Sequence, residues 1–334
     1  MMDATKRWLE YTAAEDDDGR RFDRVVRKMF PRMGLSHIYK IIRRGATRLN
    51  GKRVTPSTRV RKGDSILVLE SGEPLDEERS YSRVTAKGPS LSIPSMIVYE
   101  NRHILALNKP SGLLVHGSGS LNTLVQLYLG PSRSPSLSFK PGPLHRLDRN
   151  TSGILLFAKT LKGSAVLSSL FKEGKIQKFY IALFEGRIDQ RKIWEDSLKR
   201  DRETKKTLPC AGLQSSREGK LAVMEVFPAE VAKHATLALC LIHTGRTHQI
   251  RAQAASHGHP LIGDGKYGGS TLLPRYLLHA VSLRVEEATP LLGFHTLFAP
   301  LPSEFCTATV TFFGDDGLAG LRMLLEEHGI SVKL

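Results

Sequence analysis

Apolar residues follow two rhythms along this chain. Between residues 20 and 45 they recur at helical spacing, with Phe22, Val25, Val26 and Met29 on one stripe and Arg24, Arg27 and Lys28 opposite. A second helix is expected after Ser36 as its cap, with Ile38, Ile41 and Ile42 inward, Lys40, Arg43 and Arg44 outward, and Gly45 as the stop. Asn50-Gly51, between Leu49 and Lys52-Arg53-Val54, signals a tight hairpin, and Ser65 to Leu69 alternates as a strand.

Beyond residue 96 short strand-like runs dominate. Met96 to Tyr99 and Ile104 to Leu107 flank a polar turn, Lys178 to Leu183 forms another run, and Leu221 to Phe227 pairs naturally with Ala235 to Ile242. Ile154 to Ala158 is unbroken and apolar, the pattern of a strand buried on both faces. Helical spacing returns at Leu161 to Lys172, at His248 to His257 with Thr247 as the cap, and after Asp315, where Leu318, Leu321, Leu324 and Leu325 share a face. These shifts divide the chain into a lead-in (1–19), a small module (20–72), a linker rich in Ser, Pro, Gly and charge (73–95), a larger domain (96–314) and a docked C-terminal helix (315–334). The length suffices for two domains with a sizeable core.

Charge sharpens the picture. The chain carries 49 basic against 33 acidic side chains, a net +16. From Arg20 to Lys62 there are fifteen Lys or Arg and one acid, Asp23, a net +14, so nearly the whole excess sits on one module. A charge run is ordinarily a solvated face, but this density repels itself without an anionic partner, and nucleic acid fits best. A membrane is the runner-up and fits poorly, because no apolar run reaches spanning length. Cys210, Cys240 and Cys306 are far apart and share no metal or redox spacing, while Glu15-Asp16-Asp17-Asp18 argues against a secretory or transit leader. A cytoplasmic protein is expected. His248, His257 and His259 fit no zinc spacing, and no metal is expected.

The polar stretch His145-Arg146-Leu147-Asp148-Arg149-Asn150-Thr151-Ser152-Gly153 feeds the core run Ile154 to Ala158, placing an acid between two arginines on a loop held by a rigid strand. Taken alone, such a cluster is more often a structural salt bridge. This nonamer, however, resembles the His-Arg-Leu-Asp-x-x-Thr-Ser-Gly signature of the RluA-type pseudouridine synthases at all seven specified positions. Lys109-Pro110-Ser111-Gly112 with Val115-His116, Lys178-Phe179-Tyr180-Ile181-Ala182-Leu183, Leu261 to Gly268 and Leu277-Leu278-His279-Ala280 are similar to further elements of that family, in the same order. The small module, in its order of helix, helix ending in Gly, Asn-Gly turn, Gly63-Asp64 and strand, resembles the alpha-L RNA-binding motif of a small-subunit ribosomal protein.

The resemblance implies an α+β protein, with a catalytic domain built on a largely antiparallel mixed sheet flanked by helices and a small N-terminal α/β RNA-binding module. It implies an isomerase that breaks the bond from the ribose to uracil N1 and rejoins the base through C5, with no cofactor. Asp148 would be the reacting carboxylate, attacking the sugar or taking a proton from it. Burying that charge calls for a guanidinium, which the resemblance assigns to Arg251. Tyr180 would pack on the uracil and Leu278 on its other side, and Arg146 would fill the gap left by the flipped base. Lys109 and His145 would also face substrate, while Arg43, Arg44, Lys52 and Arg53 would hold RNA phosphates. Residues 187–219, with Arg200, Arg202, Lys205 and Lys206, carry no defined element and are read as an RNA-facing loop. A monomer modifying large-subunit ribosomal RNA is expected. The rivals are a transfer-RNA enzyme of the same class and a non-catalytic RNA-binding assembly factor.

Overall fold

The computed structural model describes residues 7–30, 33–70, 92–133, 136–210, 219–287 and 289–330. The small module contains β1 (Trp8–Thr12), α1 (Phe22–Met29), α2 (Leu35–Arg44), β2 (Thr47–Leu49) and β3 (Ser65–Leu69). Its sheet runs β1-β3-β2, so the expected lead-in is not outside the module but supplies an edge strand, Trp8 opposite Leu69. Phe22, Val25, Val26, Ile38 and Ile42 are buried between the helices and the sheet, as their spacing implies. Ser36 does not cap α2. Gly34 takes that position with extended backbone, and Gly45 ends the helix in the left-handed region. Asn50 and Gly51 both have positive φ, which gives the expected tight turn, but the returning arm is a single bridge from Leu49 to Lys52.

Most of the expected linker, as far as residue 91, lies outside the described residues. The larger body begins slightly early, at α3 (Ile93–Met96), whose Ile93 and Met96 are buried. There follow β4 (Ile97–Glu100), β5 (Ile104–Lys109), α4 (Leu121–Arg133, interrupted at Gly130), β6 (Gly142–Pro143), β7 (Ser152–Ala158), α5 (Leu161–Lys172) and β8 (Ile176–Glu185). Next come β9 (Lys192–Arg200), β10 (Thr207–Pro209), β11 (Lys220–Val231), β12 (Ala235–Ile242) and α6 (Gln249–Ser256). The chain closes with β13 (Leu278–Val285), β14 (Thr296–Phe298), α7 (Ser303–Phe313) and α8 (Asp316–Glu327). Strands β9 and β10 occupy a region that showed no element in the sequence, and α7 was likewise not foreseen.

The sheet order is β10-β9-β11-β12-β8-β13-β7-β5-β4, with β14 beside β13 and β6 beside β7. Its one parallel pair among the described residues is β13 with β7. Side chains alternate across the sheet at period two. From β8, Tyr180, Ala182 and Phe184 face α4 and α6, while Phe179, Ile181 and Leu183 face α7 and α8. Strand β7 is buried along its whole length, which explains its unbroken apolar run.

One row of paired residues crosses the middle of this sheet: Lys109 on β5, Gly153 on β7, Ala280 on β13 and Tyr180 on β8. The loop carrying Asp148 enters the sheet at this row, and Gly153 is what allows the entry. Its φ is +106°, and a Cβ there would lie within 2.7 Å of the nitrogen, carbon and oxygen of Ala280. The adjacent Ser152 hydroxyl meets His279 Nδ1 at 2.8 Å, and His279 Nε2 lies 3.1 Å from the Ala299 carbonyl, locking β7, β13 and the following loop together.

Lys109 corrects an expectation. Its side chain is fully buried, and its amine donates to the carbonyls of Pro110, Leu113 and Arg149 at 2.8–2.9 Å. It therefore braces the Asp148 loop from beneath instead of facing RNA. Ser111 Oγ donates to the Asn150 carbonyl at 2.9 Å and completes the brace. Burial pulls the Lys109 pKa down to about 7, against the opposing charge of Asp148.

Two outcomes test this framework. Gly153→Ala should lower the unfolding free energy by about 1–3 kcal/mol in denaturant titration, as overpacking at a fixed backbone does. Lys109 predicts a pH signature. Between about pH 7 and 10.5 the unfolded chain holds its proton while the folded site has released it, so this residue's contribution to stability rises with pH across that window. The difference in unfolding free energy between wild type and Lys109→Met should therefore shift in favour of wild type as pH rises, and a flat difference would contradict it.

Candidate active site

Asp148 lies on the loop between β6 and β7, and Arg251 on the first turn of α6. Their side chains meet: Arg251 Nη1 is 3.0 Å from Asp148 Oδ2. The two are joined across 103 positions of sequence by the sheet between them. The other edge of the guanidinium is held by Asp264, with Nε to Oδ2 at 2.6 Å and Nη2 to Oδ1 at 2.8 Å. Tyr276 and Tyr267 pack against the same cation, their ring centres 4.3 Å and 4.9 Å from its central carbon. Burial alone would depress the Arg251 pKa, but hydrogen bonding to Asp264 and the charges around it hold it above its ordinary value.

This arrangement leaves the two oxygens of Asp148 unequal. Oδ2 is engaged by Arg251, whereas Oδ1 receives no hydrogen bond from the described residues. His248 Nε2 lies 3.7 Å from Oδ1. His248 Nδ1 lies 2.8 Å from the Tyr267 hydroxyl. Burial lowers the His248 pKa to about 4, with Asp148 opposing and Arg251 reinforcing the shift, so the ring is neutral near pH 7. Asp148 is partly exposed and opens into a cleft of about 350 Å³. Leu114, His116, Arg146, Arg149, Lys266 and Tyr276 are among the residues that line it.

The remaining candidates divide. Arg146 is exposed at the cleft. Tyr180 and Leu278 are buried in the cluster that also contains Leu147 and Tyr276. The phenol of Tyr180 is shifted upward by burial and then by the charge of Asp148, so it stays protonated beside the carboxylate. His145 turns away and does not face substrate. Its Nε2 accepts the Leu156 N–H at 3.0 Å, its ring packs 5.3 Å from Phe171, and burial, aided by Lys178, lowers its pKa to about 3. Arg43, Arg44, Lys52 and Arg53 are all exposed on the small module, remote in sequence from these groups.

Asp264, His248, Tyr267, Tyr276 and Lys266 are the members that sequence reasoning missed. Asp264 and Lys266 lie in the Leu261 to Gly268 stretch, which matched a family element without a role. The signal that points to Asp264 is physical: one buried guanidinium has two edges, and a single carboxylate occupies only one. Helix α6 begins at Gln249, capped by His248 in the left-handed region (φ +53°) instead of by Thr247. That geometry aims the imidazole at Asp148. The segment 201–206 touches one of the cleft's lining residues: Lys266 Nζ donates to the Lys205 carbonyl at 2.7 Å. His257 and His259 bond elsewhere, to Asp196 and to the Glu185 carbonyl.

Comparison with known proteins agrees with this geometry. Residues 103–256 match the family model described as RNA pseudouridylate synthase, and residues 20–66 match that of the S4 domain. The chain is 35% identical over 285 residues to ribosomal large subunit pseudouridine synthase C of Salmonella typhi, covering 81% of this chain and 86% of the relative. It is 35% identical over 283 residues to the protein of the same name from Escherichia coli (strain K12), covering 80% and 86%. Among solved structures, Human RNA Pseudouridylate Synthase Domain Containing 4 superposes with a TM-score of 0.53 at 20% identity, over 69% of this chain and 94% of that one, a likeness of fold. The chain belongs to the RNA pseudouridine synthase family and is an enzyme of that class carrying an N-terminal S4 domain.

Proposed function

We propose that this enzyme isomerises uridine in large-subunit ribosomal RNA, with Asp148 Oδ1 as the atom that meets the ribose. The observation that carries this is the Asp148–Arg251 pair at 3.0 Å beside an open cleft, with one carboxylate oxygen left unbonded. Attack on the anomeric carbon and removal of a sugar proton both use that oxygen. In either route the C1′–N1 bond breaks, C1′–C5 forms, a proton leaves C5 and N1 gains one, so substrate and product are isomers. Arg251 compensates the charge of the carboxylate without covering its reactive side, and Asp264 fixes the guanidinium in that pose. Tyr180 and Leu278 hold the uracil, while Arg146 fills the vacated stack, which costs a few kcal/mol to open. Arg149 and Lys266 at the cleft, with Arg43, Arg44, Lys52 and Arg53 on the module, take the phosphate backbone.

The named relatives support a large-subunit ribosomal RNA substrate, at 35% identity over four fifths of the chain. The same relatives, named for ribosomal RNA modification, support a cytoplasmic location; among the described residues no helix is long and apolar enough to cross a membrane.

Release of tritium from C5-labelled uridine in RNA tests the chemistry. Asp148→Asn should abolish turnover while RNA binding persists, and surviving turnover would overturn the role given to Asp148. Mapping pseudouridines after gene deletion should show the loss in large-subunit ribosomal RNA, whereas a loss in transfer RNA alone would favour the rival substrate. Replacing Arg43 and Arg44 together with alanine should reduce the slope of log affinity against log salt by roughly 2, about one per phosphate contact. An unchanged slope would remove those residues from the grip.

A further inference from the structure

The acidic stretch before α1 is occupied in a way its sequence gives no hint of. Residues Glu15–Asp17 form a single 3-10 turn between β1 and α1. Asp17 is fully buried, yet among the described residues no basic side chain bonds it. Its oxygens instead accept the backbone N–H groups of Ala14 (2.9 Å), Leu137 (3.0 Å) and Ser138 (2.8 Å), together with the hydroxyls of Ser136 (3.2 Å) and Ser138. Residues 136–138 belong to the catalytic body, between α4 and β6. Nearby, Asp16 accepts the Leu161 N–H at the start of α5 at 3.1 Å, Arg20 donates to the Ser138 carbonyl at 3.0 Å, and Glu15 pairs with Arg102. Leu137 itself packs against the apolar core of the small module.

Among the described residues no strand pairing joins the three-stranded sheet to the larger one, and this clasp ties the module to the catalytic body. A buried carboxylate satisfied by donors from both bodies is directional in a way that an exposed ion pair is not. Separating the bodies would strand its donors and acceptors and expose Leu137. We infer that Asp17 and Leu137 are selectivity residues: they hold the S4 domain in one orientation, so that efficient isomerisation requires an RNA whose backbone reaches the module's arginines while its uridine occupies the cleft. This rests on the RNA reading above. Two grips on a loose tether accept many geometries, whereas two grips in fixed relation concentrate the second contact on RNAs of matching shape and reject others.

The full-length chain tests this in two arms. Spin labels are placed on the exposed positions His37 and Arg322 through His37→Cys and Arg322→Cys, with Cys210→Ser and Cys306→Ser removing the accessible native thiols. Double electron–electron resonance should then give one narrow distance distribution, which broadens when Asp17→Ala and Leu137→Ala are added. A broad distribution before those two changes overturns the clasp, and that arm needs neither activity nor a folded clasp variant. In the second arm, Asp17→Asn and the double alanine variant should lose about tenfold in kcat/KM on large-subunit RNA, but less than about twofold on a short hairpin carrying only the target uridine. Equal losses on both RNAs, or none, overturn the role in selection. Absence of turnover on either RNA by the parent enzyme would count against the substrate reading instead, while the distance arm still reports on the clasp.

Discussion

A single buried guanidinium, shared between two carboxylates, is what the rest of this enzyme is built to hold. Arg251 receives a two-point grip from Asp264 and offers its remaining edge to Asp148. A lone carboxylate in a half-enclosed cleft would be costly, and a lone guanidinium beneath it costlier still. The trio carries one net negative charge, and its open face is the unbonded oxygen of Asp148. One side chain thus presents two unlike oxygens: Oδ2 is held by the guanidinium, and Oδ1 is the one proposed to meet the ribose.

Three distant segments must converge for this to work, and the sheet brings them together. The row Lys109, Gly153, Ala280 and Tyr180 spans four neighbouring strands, with the Asp148 loop entering at its centre. The bracing is polar but directed inward. A buried amine collects three carbonyls, a serine meets a histidine across the parallel pair, and a neutral imidazole ties the loop to β7. Several residues that match the family pattern therefore serve the shape of the loop, which is why Lys109 and His145 read as substrate contacts in the sequence and prove to be supports.

What could be read beforehand follows a physical line. Periodicity exposed α1, α2, α5, β7 and β8, because those elements bury one face or both and their composition records it. It missed β9 and β10, which are mostly exposed and charged and bury only Trp194, Leu198 and Thr207, so no apolar rhythm stands out. Asp148, Tyr180 and Arg251 could be named from a resemblance. Asp264 could not, since its importance lies in the second edge of a guanidinium and not in any local pattern. The left-handed cap at His248 was equally hidden: Thr247 has the better chemistry for a cap, and the chain uses its neighbour to aim a ring.

The acidic residues before α1 read as part of a short lead-in, because charge in a short terminal stretch is usually solvated. The burial of Asp17 depends on donors supplied more than a hundred positions later, and such a match is invisible to composition. With Leu137 borrowed from the catalytic body to seal its core, the basic module is not a cassette that can be excised at the edge of its charge. Cut out as residues 7–70, it would leave its Leu137 wedge behind and carry away an orphaned acid, so any transplant of this RNA grip onto another scaffold has to bring residues 136–138 with it.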